Sequence, residues 1–270
     1  MRFRSSAKSV PHVDGTLRTE INHPASHVFK LPSSMHIELG ALIEPLAVAL
    51  HAHTRAKLSA GATVLVLGGG VIGLLVAAVG RSRGLRVVVA DLLEERVRFA
   101  TKNGFADKGV VVPTLPEAKS MDEKLEASHD LAEQINGAHL PGCLAGSAAG
   151  ARDERVGEVD AVFECTGSES ALQSAIFATR PGGKVLMIGM GHSVQTLPIA
   201  AAATREVDLL GVFRYAGTYA DAVGLVGSGD PSLPELQRLV THKVRGGENV
   251  EEAFKLSGTE DCIKAAFYWD

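Results

Sequence analysis

The run Gly68-Gly69-Gly70-Val71-Ile72-Gly73 has the residue types and spacing that could do the most definite chemistry in this chain. Gly68, Gly70 and Gly73 fit the pattern G-x-G-x-x-G. The first glycine permits a tight turn off a strand. The second lets the backbone approach a pyrophosphate, and the third lets helix and strand pack closely. A helix entered through Val71 and Ile72 points unpaired N–H groups and the positive end of its dipole at phosphate oxygens. A glycine-rich turn can be only a turn, so the context decides. Here an apolar strand precedes the loop, a helix and a second strand follow, and Asp91 ends that strand. Asp91 stands about 20 residues past the loop, the offset of the acid that binds the adenosine ribose hydroxyls. It can cap the next helix as well. A carboxylate there repels a 2′-phosphate, so the pattern predicts NAD rather than NADP. Arg96 could accommodate NADP, but it sits behind the acidic pair Glu94 and Glu95, which argues against that.

Two later strand ends fit the same site: Glu164-Cys165-Thr166-Gly167 and Ile188-Gly189-Met190-Gly191. Ligands of parallel sheets lie at the carboxyl edge of the strands. Cys165, Thr166, Gly189 and Met190 are therefore expected to border the nicotinamide half. Glycine also punctuates ordinary strand-to-loop junctions; it is their common register with a dinucleotide fold that favours the binding role.

These residues need a scaffold to hold them. Thr63 to Leu67, Arg86 to Ala90, Gly109 to Val112, Val159 to Glu164, Lys184 to Ile188 and Val207 to Val212 read as strands. Val71 to Arg83, Leu93 to Asn103 and Ser168 to Thr179 read as helices between them. Continuous Val/Ile/Leu runs bounded by glycine suit a parallel sheet covered on both faces. The alternation predicts an α/β chain with a doubly wound parallel Rossmann sheet. Ahead of it, residues 1 to about 36 read as strands and turns without a helix. From His36 to Leu58 apolar residues recur at helical spacing, and Pro45 is expected to split or kink that helix. Residues 113–158 read as a connection with a surface insertion, charged and helix-prone over Glu117 to Gln134 and built of small residues over 145–150. After Phe213 the chain is mixed, with helices near Tyr219 to Val226 and Val250 to Phe254 and a strand-like Ile263 to Tyr268.

Composition removes several function classes. The net charge of −4 gives no basic footprint for nucleic acid. Three cysteines, Cys143, Cys165 and Cys262, are too few and too scattered for a disulfide framework or a structural zinc knot. The first residues lack the apolar core of a signal peptide. The longest apolar run, Val64 to Val79, is interrupted by glycines and suits a strand-turn-helix better than a membrane span. No membrane association and a cytoplasmic location are expected.

With these residues in hand, the chain resembles the zinc-containing medium-chain dehydrogenases, in the sorbitol, xylitol and L-arabinitol dehydrogenase branch. The resemblance is carried by Gly40-Ala41-Leu42-Ile43-Glu44-Pro45-Leu46, the Gly68 to Gly73 loop, Val89-Ala90-Asp91-Leu92 and Phe163-Glu164-Cys165-Thr166-Gly167. Ala178-Thr179-Arg180-Pro181-Gly182-Gly183, Gly211-Val212-Phe213-Arg214-Tyr215 and Leu239-Val240-Thr241-His242 extend it. It implies a Rossmann domain over 46–212, flanked by parts of a GroES-like, β-rich catalytic domain at 1–45 and 213–270. It implies that Glu44 binds the catalytic zinc or its water, and that Arg214 and Tyr215 line a polyol pocket. From the residues alone, Glu44 reads as a buried or capping carboxylate, Arg214 as a strand-end ion pair and Tyr215 as a half-buried phenol. The substrate implied is a small polyol or other secondary alcohol. Relatives assemble as dimers or tetramers, which makes Val207 to Val212 the expected interface of a homo-oligomer.

One departure bears on mechanism. Members of this branch begin with a complete GroES-like domain that supplies a cysteine and a Gly-His-Glu motif to the catalytic zinc. Here no Gly-His-Glu occurs and no cysteine precedes Cys143. His12, His23, His27, His36, His51 and His53 stand outside the family's ligand context. Oxidising a secondary alcohol needs its proton removed and the developing alkoxide stabilised, which zinc does. A catalytic zinc needs about three protein ligands, so Glu44 alone is not expected to hold one. The expectation is an N-terminally truncated member that keeps its NAD site. Its function is then NAD-dependent polyol dehydrogenation or, alternatively, non-catalytic NAD(H) binding as a remnant or as a regulatory partner of a full-length dehydrogenase. A third reading is metal-free chemistry with Tyr215 or a histidine as acid/base.

Overall fold

Five-residue apolar runs without polar interruption can be satisfied only by burial on both faces, and the sheet that results holds every candidate residue at one edge. A computed structural model describes residues 15–114, 120–140 and 154–269. The expected loop at 145–150, the helix start at Glu117, His12 and Cys143 lie outside the described residues.

In chain order the elements are α1 (Ile37–Ala56), β1 (Thr63–Leu67), α2 (Val71–Ser82), β2 (Arg86–Asp91), α3 (Glu94–Lys102), β3 (Lys108–Val111) and α4 (Met121–Asn136). A short pair, β4 (His139–Leu140) and β5 (Glu154–Arg155), precedes β6 (Val159–Glu164), α5 (Glu169–Ala178), β7 (Thr179–Met187), α6 (Ile199–Ala203) and β8 (Asp208–Gly211). The remainder is α7 (Tyr219–Gly227), β9 (Val240–Arg245), α8 (Val250–Ser257) and β10 (Lys264–Tyr268).

The main sheet has six strands in the order β3-β2-β1-β6-β7-β8, paired parallel throughout. Leu67 lies opposite Ala90 and Glu164, Glu164 opposite Met187, and Met187 opposite Gly211. The strands therefore release their next residues along one edge. Strand order reverses between β1 and β6, and that switch point is where such sheets bind ligands. Side chains alternate between two cores. Val64 and Val66 join α1 and α2 on one face, while Leu65 and Leu67 join α4 and α5 on the other. This is the doubly wound sheet read from the sequence.

Three features differ from that reading. First, α1 runs unbroken through Pro45. Leu42, Leu46, Ala49 and Ala56 are all fully buried, and packing of that face against α2 sustains the helix where local propensity would end it. Second, residues 15–36 form no strand among the described residues; they contain one short 3-10 turn at Ala25–His27. No neighbouring strand meets their backbone, and Val28 remains 60% exposed. Third, the first half of the 113–158 stretch is part of the fold itself. Leu131, Ala132 and Ile135 of α4 are buried in the second core, which makes α4 the crossover helix from β3 to β6.

Outside the main sheet, β9 and β10 form a parallel pair tied to the start of α1 by Glu38. This buried carboxylate accepts hydrogen bonds from Tyr268 Oη (2.5 Å) and Gln237 Nε2 (2.9 Å) and pairs with Lys243 Nζ (2.5 Å). Lys243 and Tyr268 hold its pKa down to about 2.

Candidate functional site

The loop after β1 is glycine because its neighbours leave no alternative at two positions. Gly68 takes φ +101°, and a Cβ there would lie 2.9 Å from Thr166 Cγ2. A Cβ on Gly73 would overlap the Gly68 carbonyl oxygen, so this glycine sets the close approach of α2 to β1. Gly70 is different: nothing lies within 4 Å of where its Cβ would be. The fold does not require glycine at that position, yet a side chain would fill the space above the loop. Gly70 also caps α2 without a side-chain hydrogen bond, leaving the first-turn amides at Val71 and Ile72 to an incoming anion.

That space opens into a groove of about 770 Å³, a size suited to a cofactor. Gly68, Gly70, Asp91, Arg96, Cys165 and Thr166 all line it, so residues far apart in sequence meet there as expected. Asp91 Oδ2 accepts the Gly69 amide at 2.6 Å and Oδ1 accepts the Leu93 amide at 2.8 Å. A carboxylate has about four acceptor sites, so Asp91 keeps capacity for a ligand hydroxyl. Arg96 flanks it, its Cβ 3.1 Å from the position of a Cβ on Gly69. From the far side Glu260, in the segment after α8, reaches the rim.

The end of β6 is shaped by Glu164, which the sequence reading passed over. It is 2% exposed and accepts the amides of Thr166 (2.6 Å) and Gly167 (2.9 Å), together with the Thr166 hydroxyl. The signal was available in the sequence, since a carboxylate following the buried apolar run 161–163 must find local donors. Burial, and then the Glu164 charge, push the Cys165 thiol well above its ordinary value, so Cys165 is a neutral wall of the groove. Gly167, Gly189 and Gly191 touch through their backbones. A Cβ on Gly167 would lie 2.6 Å from the Gly191 amide nitrogen. Met190 is 80% exposed and borders a second concavity of about 520 Å³ with Thr166, Ser168 and His192.

Glu44, Arg214 and Tyr215 form a separate group. Glu44 projects from α1, and Arg214 follows the end of β8 with φ +51°; Arg214 Nη1 lies 4.0 Å from Glu44 Oε1. Tyr215 meets Tyr219 edge-to-face at 5.1 Å, and Tyr219 stacks on Phe29 at 5.2 Å. Burial, then Tyr215 and Glu44, raise the Tyr219 phenol well above its ordinary value. Tyr219 is thus a member of the cluster that spacing alone did not reveal.

Among the described residues, no three His, Cys, Asp or Glu side chains gather as a metal centre. Glu44 faces a guanidinium, and the buried His53 is committed to the Val76 carbonyl at 2.9 Å. The described residues do not fit a zinc ion. They do fit a dinucleotide, through the open cradle at Gly70 and the acceptor at Asp91. Among the described residues, no helix is long and apolar enough to cross a membrane.

Residues 71–228 match the family described as zinc-binding dehydrogenase. The chain is similar to a sorbitol dehydrogenase of Arabidopsis thaliana, 36% identical over 262 residues, which make up 96% of this chain and 64% of that protein. It is 32% identical over 260 residues to an L-idonate 5-dehydrogenase of Vitis vinifera, covering 95% of this chain and 63% of that one. Among solved structures, an L-idonate 5-dehydrogenase of Escherichia coli superposes with a TM-score of 0.75 at 25% identity, over 99% of this chain and 67% of that one. The chain thus spans slightly less than two thirds of the length of these two curated relatives.

Proposed function

The chain belongs to the zinc-binding dehydrogenase family, and on that premise we propose that it is an NAD-dependent oxidoreductase of the polyol dehydrogenase type, moving hydride between a secondary alcohol and NAD. The observation that carries this reading is the groove that places the Gly68–Gly70 loop, Asp91 and the end of β6 around one space.

In this reading the amides at the start of α2 hold the pyrophosphate, and Gly70 keeps its approach open. Asp91 accepts the adenosine ribose hydroxyls and disfavours a 2′-phosphate, which selects NAD over NADP. Cys165, Thr166, Gly189 and Met190 border the nicotinamide end, where the bound cofactor accepts or returns hydride. Arg214 and Tyr215 donate to substrate hydroxyls, and the Glu44 carboxylate takes the proton that the reacting hydroxyl releases as its carbon gives up hydride. Sorbitol, xylitol and L-idonate are the first substrates to try. Domain limits near 45 and 212, a cytoplasmic location and a homo-oligomer joined along β8 belong to the same reading. β8 is an edge of the main sheet, which leaves its outer backbone groups available to a second copy.

The test is a titration of the chain with NADH by fluorescence, followed by assay of NAD reduction with each polyol, with and without added zinc. NADH binding together with polyol-dependent reduction supports the proposal. NADH binding without reduction by any polyol favours the non-catalytic alternative, and absence of NADH binding overturns both.

A further inference from the structure

The loop that leaves β7 carries Gly189 and Met190, and it is fastened at both ends. At its start the Ile188 and Gly189 amides both donate to the Glu164 carbonyl at 2.9 Å. At its far end the backbone of Thr196 is held twice from α5. Glu169 Oε2 accepts the Thr196 amide at 2.6 Å, and Gln173 Nε2 donates to the Thr196 carbonyl at 2.7 Å. Glu169 and Gln173 stand one helical turn apart, on one face of α5. Each is backed in turn by a residue of α4, and these too stand one turn apart. Lys124 Nζ donates to Glu169 Oε1 at 2.5 Å, and the Ser128 hydroxyl donates to Gln173 Oε1 at 3.0 Å. Two parallel chains of hydrogen bonds thus run from α4 through α5 to one residue of the loop. Lys124, and then the Thr196 amide, hold the Glu169 carboxyl below the ordinary carboxylate range, so that chain is charged at neutral pH. Ser128 and Gln173 are fully buried, whereas Met190 and Val194, between the two fastenings, are 80% and 84% exposed. The exposed span has no core of its own to fix it. Apolar side chains would join α4 to α5 as well, but a buried polar network specifies one geometry.

We propose that Lys124 and Ser128 of α4, working through Glu169 and Gln173, are positioning residues that set the β7–α6 loop against the nicotinamide end of the bound dinucleotide. The loop borders the second concavity through Met190, Gly191 and His192, opposite Thr166. Gly191 also packs on the Gly167 backbone, so a shift at Thr196 reaches the end of β6. Lys124 and Ser128 stand behind α5 and act on the ligand through the loop. This inference rests on the dinucleotide reading given above.

The test compares the intact chain with Lys124→Met, Ser128→Ala, the double variant and the conservative Lys124→Arg. Dissociation constants are measured for NADH, for reduced nicotinamide mononucleotide, and for ADP-ribose, which lacks the nicotinamide. Each single truncation is expected to weaken NADH and the mononucleotide about threefold, because the other chain still holds Thr196. With both chains cut the loss should reach about thirtyfold, more than the product of the single losses. ADP-ribose should change by less than about twofold throughout, a selectivity that a merely structural role would not give. Lys124→Arg should restore parental affinity. Lys124 is partly exposed, so Lys124→Met reads its chain even where loss of the Ser128 hydroxyl unfolds the protein. Parental NADH affinity in Lys124→Met, or losses shared equally by ADP-ribose, overturns the positioning assignment and leaves the dinucleotide reading standing. A double variant no weaker than the product of the singles overturns it as well. A parent chain that binds neither NADH nor ADP-ribose overturns both.

Discussion

The carboxylate of Asp91 accepts the backbone amide of Gly69 at 2.6 Å, joining the acid at the end of β2 to the middle of the phosphate loop. One oxygen therefore fixes loop geometry while the group as a whole faces the groove. The two roles separate by substitution. Asp91→Asn keeps an acceptor for the Gly69 amide but loses the charge, and Asp91→Ala loses both. Hydrogen bonds to a charged group contribute about 1.5–3 kcal/mol. NADH affinity is expected to fall about tenfold or more in both variants, with a further fall in thermal midpoint only for Asp91→Ala. Isothermal titration and melting curves of the two variants check this; an Asp91→Ala chain that binds NADH as tightly as the parent contradicts it.

The glycines of the loop make opposite predictions. Gly73→Ala places a methyl group on the Gly68 carbonyl oxygen, forcing α2 away from β1. It should cost at least about 2 kcal/mol of stability. Gly70→Ala meets no protein atom within 4 Å and should cost less than about 1 kcal/mol as a cap exchange. Yet it should weaken NADH by about tenfold or more by filling the cradle. Urea denaturation and NADH titration of both variants test the pair, and a Gly70→Ala variant with parental affinity counts against the cradle.

Stability should depend on pH in two separate windows. His53 is buried and neutral, its pKa pushed down to about 4 by desolvation, while the unfolded chain binds a proton near 6.5. Stability from His53 is thus complete above about 6.5 and declines toward pH 4, by roughly 3 kcal/mol in total. Glu38, held down to about 2 by Lys243 and Tyr268, contributes fully above about 4.5, and its share is lost as pH falls from there toward 2. In urea midpoints measured against pH, His53→Leu should flatten the upper slope and Glu38→Gln the lower one. A variant that leaves its own window unchanged contradicts that assignment.

The strands of the main sheet were legible because buried parallel strands need apolar runs, and residues 64–67 and 161–163 carry them. The meeting of the glycine loop with Asp91 was legible because the spacing between them is short and fixed. Pro45 misled because the packing that keeps α1 whole comes from α2, which sequence periodicity does not weigh. Val28 and Phe29 looked like strand residues by composition, but a strand exists only beside a partner. Charge over Glu117 to Gln134 suggested a surface insertion, whereas the inward face of α4 needs only Leu131, Ala132 and Ile135. Glu38 and Tyr219 stayed hidden because their meaning lies in contacts made across the fold. Glu38, for instance, meets Gln237 and Tyr268, almost at the other end of the chain.

The groove above Gly70 is proposed as an NAD site with Asp91 as its ribose acceptor. Parallel fluorescence titrations of the parent chain with NADH and with NADPH test it most directly. NADH should bind saturably, with NADPH at least about tenfold weaker because its 2′-phosphate meets the Asp91 carboxylate. Equal affinity for the two nucleotides, or tighter binding of NADPH, would contradict it.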